Sequence, residues 1–213
     1  EVAWAIAFPG QGGGTGASVL SDGTIFVTGG QKLIALDAQS GCAKWTYAGQ
    51  SRNTPAIGEI GGKKVVALAI GRDIHVVDAA TGALVWKASG QPVTGTGGNI
   101  RGGVIFAKDK IVVPISASGV GSGAKSHADN ASVATSPRTE CCAGHGSVVA
   151  LNAADGKNVW EYHTMKEPEY NGQVSSLGVK QMGPSGAPIW SVPVYDAKRN
   201  NITQIVIGRS KAG

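Results

Sequence analysis

The chain has 213 residues, 42% of them hydrophobic and 6% aromatic, with 33 glycines, which is enough apolar material for a core of its own. No apolar run is long enough for a membrane-spanning helix, and the opening EVAWAIAFPG reads as a mature or trimmed start, not as a cleavable leader. The net charge of +5 comes from scattered basic residues without interleaved aromatics, which argues against a nucleic-acid surface.

In chain order, Trp4 in VAWAIAF comes first, then LIALDAQSGCAKW ending at Trp45, IHVVDAATGALVW ending at Trp86, and VVALNAADGKNVW ending at Trp160. Trp4, Trp45 and Trp86 stand 41 residues apart; Trp160 follows after 74, one period with 33 residues inserted. Apolar or alternating runs predict strands over 24–28, 32–36, 65–70, 74–77, 104–107, 111–115, 148–151 and 205–207, separated by Gly, Asp, Asn and Ser clusters. No stretch carries a capped 3.6-residue apolar stripe, so little helix is expected. In DAQSG, DAATG and NAADG the Asp or Asn can accept from the backbone two residues on, and the Gly supplies a positive φ, as hairpin turns require.

A self-similar unit of this length with four short strands predicts an all-β fold, a β-propeller of four-stranded antiparallel blades. Recurrence of tryptophan at the last strand of each unit predicts a ring filling the gap between neighbouring blades. Cys42, within the SGCAKW turn, is expected to pack as a small apolar side chain. The inserted residues map to 117–146, a long polar excursion ending at Cys141 and Cys142. Neighbouring cysteines stand either as two separate thiols or as a strained eight-membered disulfide ring, which persists only in an oxidising compartment.

Beyond 183, GPSGAPIWSVPVYD predicts a strand, KRNN a turn and ITQIVIG the next strand. Three full phrases and the start of another do not close a ring, so residues 1–213 read as an incomplete propeller that needs further blades or a second chain.

WAIAFPG, SRNTPAI, CC-x3-GSVVALNAADGK-x-VW and GPSG-x2-IWS-x-P together resemble the quinoprotein alcohol dehydrogenases, in their polyvinyl-alcohol-dehydrogenase-like branch, over nearly the whole chain. The resemblance implies an eight-bladed propeller with pyrroloquinoline quinone lying flat in the central funnel beside Ca²⁺. It further implies oxidation of an alcohol by hydride transfer to the quinone, with an aspartate base and the metal as Lewis acid. Carried over by motif, Trp190 matches the tryptophan under the quinone and Arg52 the arginine on a quinone carboxylate. Ser116 matches a serine beside the quinone, and Cys141 with Cys142 the vicinal pair covering the cofactor face.

There are departures. Gly119 or Val120 stands where a Ca²⁺-ligating glutamate is expected, leaving Glu140 or Asp129 of the insertion as substitutes. Arg101 replaces a threonine, and GRSKAG replaces a strand end bearing an asparagine. The aspartate base belongs to a later blade, and no CxxCH haem motif is present, so no catalytic base is assigned within these residues. A cytochrome c-type electron acceptor and a periplasmic or secreted location are expected of an enzyme of this kind. The competing expectation is a non-catalytic propeller scaffold like the outer-membrane assembly lipoproteins, or a degenerate enzyme without cofactor.

Overall fold

The computed structural model describes residues 4–7, 16–94, 98–117, 140–141, 144–174 and 178–203; all its regular structure is β. The first sheet is β1 (Val19–Ser21), β2 (Thr24–Gly29), β3 (Lys32–Asp37) and β4 (Ala43–Ala48), and the second is β5 (Ala56–Ile60), β6 (Lys63–Ile70), β7 (Asp73–Asp78) and β8 (Leu84–Ser89). Each is an antiparallel meander in chain order. The third holds β9 (Gly98–Asn99), β10 (Ile105–Ala107) and β11 (Lys110–Ala117), then, after the insertion that carries β12 (Glu140–Cys141), β13 (Ser147–Asn152) and β14 (Asn158–His163). Its order is β10-β11-β13-β14, with β9 paired to the end of β11.

A small sheet that the repeat pattern does not foreshadow joins β15 (Glu169–Val174) and β16 (Lys180–Gly183) to β12, which runs parallel to β16. The next blade opens with the hairpin of β17 (Val194–Asp196) and β18 (Asn201–Thr203). Of GPSGAPIWSVPVYD, Gly183 ends β16 and the last three residues form β17, with no strand between them; positions 184, 188 and 193 are prolines, which lack the N–H that a ladder uses. The run 205–207 lies outside the described residues.

Side-chain alternation decides how the sheets stack. In β6, Val66 and Leu68 join Phe26, Leu33 and Ala35 of the first sheet, while Val65, Ala67 and Ala69 join Ile111, Val113 and Val149 of the third. The central strand is thus buried on both faces, which is why VVALAI reads as an unbroken apolar run. On the far face of the third sheet, Val112 and Val148 pack with Ile189, and Trp160, Tyr195 and Ile202 lie against them. A two-layer sandwich would leave one face of each sheet wet. Here the first strands of successive sheets touch, β1 against β5, β5 against β10 and β10 against β17, with no comparable contact among β4, β8 and β14. The sheets therefore converge on an axis beside their first strands and splay outward, as propeller blades do.

The recurring tryptophans bind each blade to the next. The indole N–H donates across the interface to the turn of the following repeat: Trp4 to Ala38 O at 3.1 Å, Trp45 to Ala79 O at 3.1 Å and Trp86 to Ala153 O at 2.8 Å. The turn glycine lies under the ring. A Cβ on Gly41, Gly82 or Gly156 would fall 2.6–2.8 Å from Trp4, Trp45 or Trp86, and all three have φ near +70°. The turns are pinned as their sequence predicts, with Asp37 Oδ1 accepting from Gln39 N and Ser40 N, and Asp78 Oδ1 from Ala80 N and Thr81 N. Cys42 departs from expectation: it is an exposed free thiol. It occupies the last position before β4, whose outer-edge residues alternate out to solvent.

Candidate functional site

Strand direction gathers the predicted residues at one end of the blades. Ser116 follows the inner run of β11, Arg52 precedes β5 and Trp190 precedes β17; all three lie at the end where β11 stops and β5 and β17 begin. Arg52, Arg101 and Trp190 each stand four residues before the first strand of their blade, at Ala56, Ile105 and Val194. They are equivalent positions around the axis. The residues one step further on stack backbone to backbone: a Cβ on Gly16 would lie 2.3 Å from the Asn53 carbonyl carbon, and one on Gly102 2.3 Å from Ser191 O. Buried Asn53 closes the remaining step by donating from Nδ2 to Ile100 O at 3.1 Å.

Trp190 is 54% exposed, unlike the half-buried interblade tryptophans. Its Nε1–H donates to the Oγ of buried Ser116 at 2.7 Å, which restrains the indole at the axial mouth. Beneath it, fully buried Ile189 anchors the segment against Val112 and Val148. Arg52 and Arg101 are both exposed at this mouth. No hydrogen bond ties either to the Trp190–Ser116 pair among the described residues. Two of the five predicted residues are thus in contact, and a third shares their ring. Cys142, Gly119, Val120 and Asp129 lie outside the described residues, as do the side chains of Glu140 and Cys141.

A planar anionic ligand suits what is present, a half-exposed indole and two exposed arginines at equivalent positions before the first strands of their blades. A hard Ca²⁺ ion takes six to eight oxygens; its candidate ligands Glu140 and Asp129 lie outside the described side chains, and the potential metal-ligating group among the described residues, His145, His163 and Glu167, offers two imidazole nitrogens and one carboxylate. Sequence spacing gives no recognised metal motif for that group, although all three members fall between 145 and 167. The signal available is a histidine at each of two strand ends, in GHGSVV and VWEYHT.

The fold is a β-propeller of four-stranded antiparallel blades, of the quinoprotein-dehydrogenase-like type. A family model of PQQ-type repeats, described as outer membrane protein assembly factor BamB, matches residues 1–187, and the chain belongs to that family. It is 31% identical over 207 residues to a protein named polyvinylalcohol dehydrogenase from Pseudomonas sp, and 31% over 211 residues to one of the same name from Sphingopyxis sp. (strain 113P3). Those alignments take in 93% and 95% of this chain, which spans 30% of the length of each relative. Among solved structures, the quinohemoprotein alcohol dehydrogenase of Comamonas testosteroni superposes with a TM-score of 0.58 at 17% identity, over 92% of this chain and 29% of that one. At that identity the likeness speaks for the fold.

Proposed function

We propose that this chain supplies the cofactor-bearing wall of a quinoprotein dehydrogenase that oxidises the hydroxyl groups of alcohols or polyols. The observation that carries the reading is the half-exposed Trp190 ring, pinned through Ser116 at the axial mouth. In this reading pyrroloquinoline quinone lies on the half-exposed indole, and Arg52 holds one of its carboxylates in a bidentate pair. Cys141 and Cys142, at the end of the insertion, cover the opposite face. The bound quinone supplies a two-electron hydride acceptor. The residues of this chain bind and orient it, and their packed blades exclude water from its underside. The aspartate that takes the hydroxyl proton comes from another blade, as does the closure of the eight-bladed ring beyond the incomplete domain formed by residues 1–213. A Ca²⁺ ion is not assigned to the described residues. The names of the relatives support the polyol class, and a periplasmic or secreted protein passing electrons to a cytochrome c-type acceptor suits such an enzyme.

The description of the matching family supports a second reading, a non-catalytic propeller that uses its blades as a binding surface. Quinone titration separates the two. The full-length polypeptide is titrated with pyrroloquinoline quinone, following the absorbance of the bound cofactor, its affinity by calorimetry, and dye-linked oxidation of polyvinyl alcohol and small alcohols. The enzyme reading expects saturable uptake that Trp190→Ala weakens by roughly tenfold or more, as for the loss of a stacking platform worth about 1–3 kcal/mol. Absence of uptake leaves the scaffold. Uptake that Trp190→Ala does not alter removes the indole from the quinone site.

A further inference from the structure

We propose that His145, His163 and Glu167 form a binding site for a borderline divalent transition metal, of the Zn²⁺ kind, at the root of the insertion in the third blade. The site is separate from the quinone reading and stands whether or not that reading does. His145 Nε2 and His163 Nδ1 are 2.8 Å apart, and Glu167 Oε1 is 3.8 Å from His145 Nε2. One potential ligand atom from each residue lies within 4.8 Å of the other two. These separations bracket the roughly 3.3 Å edge of a tetrahedron with metal–ligand bonds of about 2.0–2.1 Å. The donors are two imidazoles and one carboxylate, the pattern of an open zinc site with a fourth position for water.

The surroundings set His163 in the ligating tautomer. Glu161 accepts from Val93 N at 2.7 Å and Thr94 N at 3.0 Å, and the Thr94 hydroxyl also donates to it. With its only proton spent on Glu161, Thr94 Oγ1 can meet His163 Nε2 at 3.3 Å only as an acceptor, and Glu161 Oε1 lies 3.5 Å from the same nitrogen. The His163 proton is therefore on Nε2, and the Nδ1 lone pair points at His145. A carboxylate behind a histidine, fixing its ring and tautomer, is the usual outer support of a metal-bound imidazole. Without metal, His145 Nε2–H donates to that lone pair. With metal, His145 carries its proton on Nδ1 and both facing nitrogens coordinate.

His145 is fully buried just ahead of β13, His163 ends β14 opposite Ser147, and Glu167 sits on the exposed loop that follows. The same strand ends are tied to the segment leading to Trp190 by the bridge between His145 and Gly186, with Gly186 N donating to Gly144 O at 3.0 Å and Gly146 N to Gly186 O at 3.2 Å. A bound ion would clamp the base of the insertion to the outer strand of the blade and stiffen the loop leading to Trp190.

The test is a Zn²⁺ titration of the full chain, with no affinity tag, by competition with a chromophoric chelator. A parallel Co²⁺ titration is read by its visible d–d bands. We expect one ion per chain in the micromolar range or tighter, and weakening of roughly 10–100-fold in Glu161→Gln, which keeps all three ligands and loses only their support. His163→Gln and Glu167→Gln should each abolish stoichiometric binding, and His75→Gln should leave it unchanged. Glu167 is exposed, so its replacement leaves the fold intact. Failure of the wild-type chain to bind, or wild-type affinity in either the His163 or the Glu167 variant, overturns the site.

Discussion

The indole-on-turn contact makes Gly82 a quantitative probe of how the blades are joined. Its φ is +74°, and the three atoms nearest to an added Cβ all belong to Trp45, at 2.6, 2.7 and 3.2 Å. Gly82→Ala therefore incurs two costs, the left-handed backbone at about 1–2 kcal/mol and the displacement of a packed ring at about 1–3 kcal/mol. Gly61, in the turn between β5 and β6, has φ +57° and nothing within 4 Å of where a Cβ would stand, so Gly61→Ala incurs only the first. In urea unfolding we expect losses of about 1–2 kcal/mol for Gly61→Ala and about 2–5 kcal/mol for Gly82→Ala. Trp45→Ala removes a half-buried ring packed 5.8 Å from that of Phe26, together with its bond to Ala79 O, at about 3 kcal/mol. In that background the ring is gone, so Gly82→Ala should fall to the cost of Gly61→Ala, a coupling of about 1–3 kcal/mol. If Gly82→Ala costs no more than Gly61→Ala, or costs the same with and without Trp45, the indole does not rest on the turn.

Trp86→Ala should destabilise by about 3–5 kcal/mol in the same assay, since Trp86 packs on the largest core cluster and bonds to Ala153 O; a change near zero would place these rings at the surface. Ser116→Ala should cost about 1 kcal/mol in stability and free the Trp190 indole, seen as faster hydrogen exchange of its indole N–H resonance in the otherwise native chain; unchanged exchange would mean that Ser116 does not hold the ring. Asp37 is held at about 2, foremost by the Ser40 backbone N–H and then by the Ser40 hydroxyl and Lys44, and Asp78 is lowered by Thr81 in the same way. A carboxyl that titrates lower when folded stabilises fully above its unfolded value of 3.8 and loses that contribution as pH falls toward about 2. The urea midpoint should therefore drop across that window and drop less in Asp37→Asn. The third blade carries Asn152 at this position, still accepting from Ala154 N at 2.8 Å, so the turn itself survives the exchange. An equal drop in Asp37→Asn would assign the acid loss elsewhere.

What the sequence shows and what it hides follow from the range of the interactions. The blades are legible because each is a local meander, with two-residue alternation and turn chemistry repeating within a single period, and because the tryptophan, the turn Asp and the turn Gly sit at fixed offsets. The Trp190–Ser116 contact joins positions in different blades, and only the motif likeness points to both. The His145–His163–Glu167 group is hidden for a different reason. Its members are brought together by the β13–β14 register and a following loop, and none belongs to the repeating phrase. The β12-β15-β16 sheet is likewise hidden, because β15 is exposed along its whole length and so carries no apolar alternation. Cys42 reads as core because a small apolar side chain usually packs, but it lies between an exposed turn and β4, an outer strand where burial falls off.

The axial ring explains how a single repeat can serve either a dehydrogenase or a scaffold. Blade stability is written in positions that face a neighbour: the alternating residues of the inner strands, the indole and the turn beneath it. The position four residues before the first strand of the second, third and fourth blades takes no part in the hydrophobic clusters, so it is free to be arginine in two blades and tryptophan in the next. Exchanging those three side chains leaves in place every interblade contact described above except that of Trp190 with Ser116. Function can therefore change at the mouth without a cost to the fold, and a propeller core by itself says nothing about catalysis. The buried hydroxyl of Ser116 is the exception, because it reaches from a core strand to fix one of the mouth residues. The Trp190 indole N–H is satisfied by Ser116 as those of Trp4, Trp45 and Trp86 are satisfied by turn carbonyls, so exposure is what sets it apart: it is 54% exposed where the other three are half-buried.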